Sequence, residues 1–278
     1  MSGWEFWIVA IIGAVLTGVG KGGVPIVGAL VVPVMSLAIS PVAAAGLMLP
    51  VYVVSDWFGL YAYRKEFDKR VLAIAMVGLT LGVAIGWAIF GIIAHMDAAV
   101  VQSSQTTNHK QIADQWVTLL VGVIAVAFSL NQLLRKPVVA APKRAEVPSG
   151  IFWTSIAGFT SFVSHTGGPP YQAWTLPLGM KKAVFAGTST IAFAYINAVK
   201  LIPYYFLDQI TLSSLETAAV LMPVAAASVF LGVWAVRVLP ERVFFRIVTW
   251  SLLVIGADLM GKGITGVEPL VALFNLFA

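Results

Sequence analysis

Long apolar runs separated by short polar connections dominate this chain. Ten such runs can be distinguished, and most reach the roughly 17–25 residues that a transmembrane helix requires. The second, sixth and seventh runs are shorter than a full span. The pattern therefore predicts an all-α polytopic membrane protein. The predicted segments are 4–20, 24–39, 42–63, 71–94, 116–134, 151–164, 169–180, 183–207, 213–236 and 242–260, followed by a short interfacial stretch at 264–278.

The composition agrees with this class and excludes several others. Apolar side chains make up 59% of the 278 residues, and charged ones only 10%, against about 25% in soluble domains. A soluble fold could not bury that much apolar surface, and disordered chains are polar and charge-rich. The chain has no cysteine, which excludes a disulfide scaffold and a cysteine-ligated metal. We therefore predict the lipid bilayer as a partner, and no metal, cofactor or nucleic acid.

The placement of basic residues predicts the orientation. Most of the 17 lysines and arginines lie in the third, fifth, seventh and ninth connections between the runs. Two crossings separate each of these connections from the next, so all of them lie on the same side of the membrane. The positive-inside rule makes that side cytoplasmic, so both termini are predicted outside. The N-terminal run has no preceding lysine or arginine, which argues against a cleaved signal peptide. The basic residues on the cytoplasmic side are Arg64, Lys65, Lys69, Arg70, Arg135, Lys136, Lys143, Arg144, Lys181, Lys182, Arg237, Arg242 and Arg246.

The two halves of the sequence resemble each other. Gly22-Gly23-Val-Pro matches Gly167-Gly168-Pro-Pro, and each motif lies between two short apolar runs. Further matched pairs are Asp56 with Asn197 and Tyr63 with Tyr204. Five runs in each half mean that the second half enters the membrane from the opposite side, as in the inverted repeats of secondary transporters. We predict repeats at 1–136 and 149–278, joined by a cytoplasmic linker at 137–148.

The two glycine turns are the strongest candidates for a binding site. Short interrupted segments at matching positions of an inverted repeat indicate re-entrant hairpins that meet near the membrane midplane. Glycine lets backbone amides approach a ligand, and a following helix N-terminus favours an anion. The alternative is that each turn is only a tight hairpin between packed helices. The candidate substrate-binding residues are Lys21, Gly22, Gly23, His165, Thr166, Gly167, Gly168, Gln172, Asn197 and Lys200.

Several of these side chains allow two interpretations of their role. Lys21 is either a cytoplasmic positive-inside lysine or a cation in the site. His165 is either structural or a proton carrier, since histidine titrates near neutrality. Lys200 shares a helical face with Asn197, or it pairs with Asp56 of the matching helix. Asp56 and Asn197 themselves are predicted as structural hydrogen-bonding partners.

The run from Thr17, Thr-Gly-Val-Gly-Lys-Gly-Gly-Val-Pro, and the run from Ser164, Ser-His-Thr-Gly-Gly-Pro-Pro-Tyr-Gln, resemble the TauE/SafE sulfite exporter family. The likeness extends over nearly the whole chain and both repeats. It implies a carrier for sulfite, thiosulfate, sulfoacetate or a similar sulfur anion in a bacterial plasma membrane, with no enzymatic activity. It does not imply which anion, or its direction.

The prediction that follows is export of a small sulfur oxyanion by alternating access around a site built from both turns. An anion channel with the same site and a proton-coupled importer of thiosulfate or an organosulfonate are the alternatives. An intramembrane enzyme using Ser164 and His165 is less favoured, because no third catalytic residue or metal set is visible. The sequence does not determine an oligomeric state.

Overall fold

The fold is described from a computed structural model. It describes residues 3–24, 27–28, 30–35, 38–39, 41–100, 119, 122–123, 125–127, 129–130, 133–134, 144–165, 167–206 and 210–266. The ordered elements there are helical, with no strand in these ranges. They are α1 Trp4–Lys21, α2 Val31–Met35, α3 Pro41–Tyr63, α4 Lys69–Val100, α5 Val147–Ser164, α6 Gly168–Thr175, a 3₁₀ turn Leu176–Leu178, α7 Lys182–Phe206, α8 Leu212–Val238 and α9 Glu241–Thr265.

Five helices in the described part are long and apolar enough to cross a membrane: Trp4–Lys21, Lys69–Ile89 within α4, α7, α8 and α9. Large apolar side chains such as Trp4, Phe152, Phe230 and Trp250 are exposed on the bundle surface. In a multi-pass membrane protein such a surface faces lipid. The all-helical membrane class predicted from the apolar runs is confirmed.

The short runs are short in the structure as well. The run at 169–180 forms α6 and the 3₁₀ turn, and Trp174 on α6 packs on Gly150 near the start of α5. Helices α5 and α6 therefore pack against each other. In the run at 24–39, the five-residue α2 packs against α1. Most of the fifth run, the 137–143 part of the linker and the stretch from 267 lie outside the described residues.

Small residues bring α4 and α5 close together along a parallel seam. A Cβ on Gly78 would overlap Thr154, one on Gly82 would overlap the Ser155 carbonyl, and one on Gly86 would come within 2.6 Å of Phe162. Both helices therefore advance in the same direction. Helices α1 and α8 pack in the same manner, since Gly18 contacts Ala225 and Ser228, and Gly22 contacts Val229 and Gly232. Small residues at such contacts let helix backbones approach in lipid.

Helices α3 and α7 pack against each other between these two seams. At one end of the bundle, the Asp68 amide donates to Thr188, and Lys182 Nζ donates to the carbonyls of Arg237 and Leu239. Arg70 Nε there donates to the Ala145 carbonyl at 3.0 Å. A surface pocket of about 270 Å³ at this end is lined by three cationic side chains, those of Arg70, Arg144 and Lys181, among others. Basic connections that are distant in sequence thus meet at one end of the bundle.

Candidate functional site

Helices α1 and α5 both end inside the bundle. Helix α1 closes with the amides of Gly22 and Gly23, which donate to the carbonyls of Gly18 and Gly20. Gly23 has φ +102°, a conformation that glycine adopts without a Cβ penalty. Helix α5 ends at His165, whose amide donates to the Ser161 carbonyl and whose φ is +58°. A histidine with a left-handed backbone conformation costs free energy, so it persists only where the surrounding residues hold it in place.

Side chains from α3 and α7 satisfy the last carbonyls of both helices. Tyr63 Oη donates to the Gly22 carbonyl at 2.7 Å, and Thr190 Oγ1 donates to the Lys21 carbonyl at 3.2 Å. On the other side, Tyr204 Oη donates to the Phe162 carbonyl at 3.1 Å. Terminal carbonyls lack partners within their own helix, and a membrane interior offers no water to replace them. The sequence-matched tyrosines Tyr63 and Tyr204 therefore serve the same purpose at the two helix ends.

Replacing either tyrosine by phenylalanine should destabilise the protein by about 1–3 kcal/mol, because a buried carbonyl loses its donor. Thermal unfolding of the Tyr63→Phe and Tyr204→Phe proteins in detergent measures this. Tyr61→Phe is the matched control, since Tyr61 is 65% exposed. An unfolding temperature unchanged from wild type in both variants would contradict the capping role.

A buried charged cluster lies beside these helix ends. Lys21 Nζ is 2.8 Å from Asp56 Oδ1, and the Lys21 side chain is only 14% exposed. Asn197 Nδ2 donates to Asp56 Oδ2 at 2.8 Å, so the predicted partnership of the matched residues on α3 and α7 is confirmed. The predicted alternative pairing of Lys200 with Asp56 is wrong: Lys21 takes that carboxylate. Lys21 is accordingly an interior cation, not a lysine of the polar surface.

Lys200 turns instead toward the end of α5. Its Nζ donates to the Ser161 carbonyl at 3.2 Å and to Ser161 Oγ at 3.1 Å, and it lies 3.2 Å from His165 Nδ1. Lys200 is 1% exposed, an environment in which a charged lysine needs its donors satisfied and a nearby anion. His165 is stacked on Tyr204, with ring centroids 5.8 Å apart and planes at 10°.

Tyr52 on α3 connects the two helix ends. The Lys21 ammonium lies 5.1 Å from the centroid of the Tyr52 ring. The His165 ring contacts the same tyrosine edge-on, with centroids 5.7 Å apart. Lys21 and His165, although 144 positions apart in the sequence, therefore approach the same side chain.

The four turn glycines differ in what lies next to them. A Cβ on Gly22 would overlap the Val229 carbonyl, one on Gly23 would be 2.6 Å from Tyr63 Oη, and one on Gly167 would be 2.5 Å from the Ala157 carbonyl. At Gly168 the nearest described atom to a Cβ would be Gln172 Nε2 at 3.7 Å, an ordinary van der Waals distance. The first three glycines therefore permit close packing, whereas a Cβ at the fourth would overlap none of the described atoms.

The structure thus brings together many of the predicted residues. One cluster contains Lys21, Asn197, His165 and Lys200. Gly168 and Gln172 follow His165 in the sequence and lie in α6. Gln172 is 6% exposed, and its Oε1 has no hydrogen-bond partner in the described part of the chain. Thr166 lies outside the described residues. Among the described residues no group of three or more His, Asp or Glu side chains is arranged to hold a metal.

Sequence reasoning missed Tyr52 and Ser161. Each has a signal that could have found it: Tyr52 precedes Asp56 by four residues, and Ser161 precedes His165 by four. Residues four apart lie on one face of a helix, so both face the candidate site. A polar residue one helical turn before an intramembrane ionisable group therefore indicates a further member of the same site.

This fold and this cluster define a multi-pass helical membrane protein that holds two lysines beside the ends of α1 and α5. A sequence model of the family described as Sulfite exporter TauE/SafE matches residues 6–259, and the chain belongs to that family. Searches of curated proteins and of solved structures return no significant match. The family consists of membrane exporters of sulfite and related sulfur anions, and it is a transporter family rather than an enzyme family.

Proposed function

We propose that this protein exports a small sulfur oxyanion, sulfite or an organosulfonate, by alternating access around the cluster between α1, α3, α5 and α7. One observation carries the proposal. Two interior lysines, Lys21 and Lys200, lie in this cluster with one carboxylate among the described residues, that of Asp56. If both lysines are charged, the cluster is positive by one unit before His165 is considered.

Uncompensated charge in a membrane interior is costly, and such groups usually mark a transport pathway. Asp56 balances Lys21 at 2.8 Å, whereas in the described part of the chain Lys200 Nζ hydrogen-bonds with the neutral groups of Ser161 and with the His165 ring. A bound anion would supply the missing negative charge. An oxyanion with several acceptor oxygens suits lysine and histidine donors better than a halide does.

The start of α6 offers a helix N-terminus with few amide donors. Pro169 and Pro170 form its first turn and have no N–H, and the Tyr171 amide already donates to the Gly167 carbonyl. The Gly168 amide and the partial positive charge of the helix N-terminus are what this turn offers an anion. The Gln172 side chain is buried, and its NH2 group can donate to an anion, whereas its unpartnered Oε1 can only accept. We therefore place the anion between Lys200 and the first turn of α6.

The packing supports an inverted repeat, an arrangement that many alternating-access carriers share. If α1–α4 correspond to α5–α8, then α1 on α8 and α5 on α4 are equivalent contacts, as are α3 on α8 and α7 on α4. All four pairs are present, and α3 packs on its own counterpart α7. The end of α1 lies beside Ala186 and Thr190 of α7, whereas the end of α5 lies beside Lys200 and Tyr204. The two helices therefore end at different levels along α7, and the Lys21 side chain, rather than the Gly22-Gly23 turn itself, contacts Tyr52 beside His165.

Transport by purified protein in liposomes tests the proposal. Labelled sulfite should exchange against unlabelled sulfite, and efflux should accelerate when the inside is made negative. The potential contributes about 2.3 kcal/mol per charge per 100 mV. Conductance without countertransport would establish the channel alternative. Uptake that requires an inward proton gradient at fixed voltage would establish the importer. No sulfur-anion flux in any of these assays would refute the proposed function.

A further inference from the structure

His165 Nδ1 lies within hydrogen-bonding distance of both a donor and an acceptor. Lys200 Nζ is 3.2 Å away, and the Ser161 carbonyl oxygen is 3.0 Å away. A lysine ammonium has only donors, so Nδ1 must accept from it through its lone pair. A carbonyl has only acceptors, so Nδ1 must carry a proton to bond with it. The nitrogen therefore has a partner whether it is protonated or not.

The backbone holds the ring in this place. His165 is the one non-glycine residue with positive φ among the described residues. Its ring is stacked on Tyr204 and meets Tyr52 edge-on. Conformations of this cost persist where the surroundings enforce them, and they concentrate at functional sites.

We propose that His165 and Lys200 form a proton-binding pair that takes up one proton from solution when the sulfur oxyanion binds, an inference that rests on the proposed function. Without the anion, Lys200 donates to the bare Nδ1. When the anion arrives, Nδ1 accepts the proton and donates to the Ser161 carbonyl. The N–H of Lys200 that is released then donates to the anion.

Charge balance makes the two events cooperative. A protonated His165 beside a charged Lys200 places two cations 3.2 Å apart, which only a nearby negative charge offsets. Among the described residues, the other titratable groups that face the pair are Tyr52 and Asp56 of α3, Tyr204 of α7 and Lys21 of α1. Asp56 is held by Lys21 and Asn197, so the anion supplies the balancing charge. If sulfite binds as a dianion and one proton binds to His165 with it, the pair together carry one net negative charge, which the membrane potential still drives outward.

A single-histidine protein tests this directly. The chain has three histidines, and His95→Gln with His109→Gln leaves His165 as the sole imidazole. Its nitrogen-15 NMR spectrum is recorded at about pH 8, above the ordinary titration of histidine. Without sulfite, Nδ1 should give the signal of a bare nitrogen. With saturating sulfite, both ring nitrogens should give the signals of protonated ones.

Sulfite binding is measured on the same sample by calorimetry, which separates the possible failures. Binding with an unchanged imidazole spectrum would overturn the proton-binding pair and leave the proposed function standing. No binding to the wild-type chain would overturn both. As a second measurement, sulfite affinity should fall about tenfold per pH unit above pH 8, where one proton is taken up per anion. His165→Asn, which tolerates the left-handed backbone, should remove that dependence; an equally steep fall in this variant would also refute the pair.

Discussion

Replacing Lys21 with methionine should abolish sulfite transport and destabilise the helix bundle by about 3–5 kcal/mol. Lys21 is the cation that lies 2.8 Å from Asp56. Its removal leaves a buried carboxylate with only the Asn197 amide, and breaking one side of a buried ion pair costs about that much. Transport is lost for a second reason, since the cluster gives up the charge that makes it attractive to an anion. The measurements are thermal unfolding in detergent and sulfite flux in liposomes.

The double variant Lys21→Met with Asp56→Asn separates these two effects. Removing both charges should restore most of the lost stability, because no unpaired ion remains. Transport should stay below one tenth of the wild-type rate if Lys21 contributes to anion binding, since about 1.4 kcal/mol of lost binding corresponds to tenfold. Lys65→Met is the control, because Lys65 is exposed in the α3–α4 connection. Wild-type flux in the double variant would mean that Lys21 serves the fold alone.

A single added methyl group at Gly22 should destabilise the helix bundle by about 3 kcal/mol, the upper end of the usual range for overpacking. A Cβ there would overlap the Val229 carbonyl and lie 2.6 Å from the Gly232 Cα, so backbone must move on one of two packed helices. Gly22→Ala should therefore lower the unfolding temperature in detergent and reduce the folded fraction seen by size-exclusion chromatography.

Gly168→Val is the contrasting change. Among the described residues, the nearest atom to a Cβ at Gly168 is Gln172 Nε2 at an uncrowded 3.7 Å, so this variant should fold and yet lose sulfite transport. From sequence alone, the same outcome would be expected for Gly23→Val. The structure changes that expectation, because Gly23 combines φ +102° with Tyr63 Oη 2.6 Å from its Cβ position. Gly23→Val should fail to fold. Normal transport by Gly168→Val would remove the start of α6 from the site.

Apolar run length, basic connections and two glycine turns were enough to predict the membrane class, most helix positions and the family. These features are local, since a bilayer requires about 20 apolar residues per span whatever the neighbouring helices do. Helix α7 illustrates this, because the predicted run 183–207 differs from Lys182–Phe206 by one residue at each end. The Asp56–Asn197 contact was predictable because the two residues hold matching positions in the two similar halves of the sequence.

Only the tertiary structure decided which cation takes Asp56 and what the glycines contact. Lys21 and Lys200 both carry one positive charge, and sequence spacing gives neither of them a distance to the carboxylate. The depth at which α1 and α5 end puts Lys21 on Asp56 and Lys200 on His165. A glycine that admits a ligand and a glycine that admits a neighbouring helix look the same in a sequence. Their difference is the atoms that lie opposite the missing side chain, and long-range packing determines those atoms.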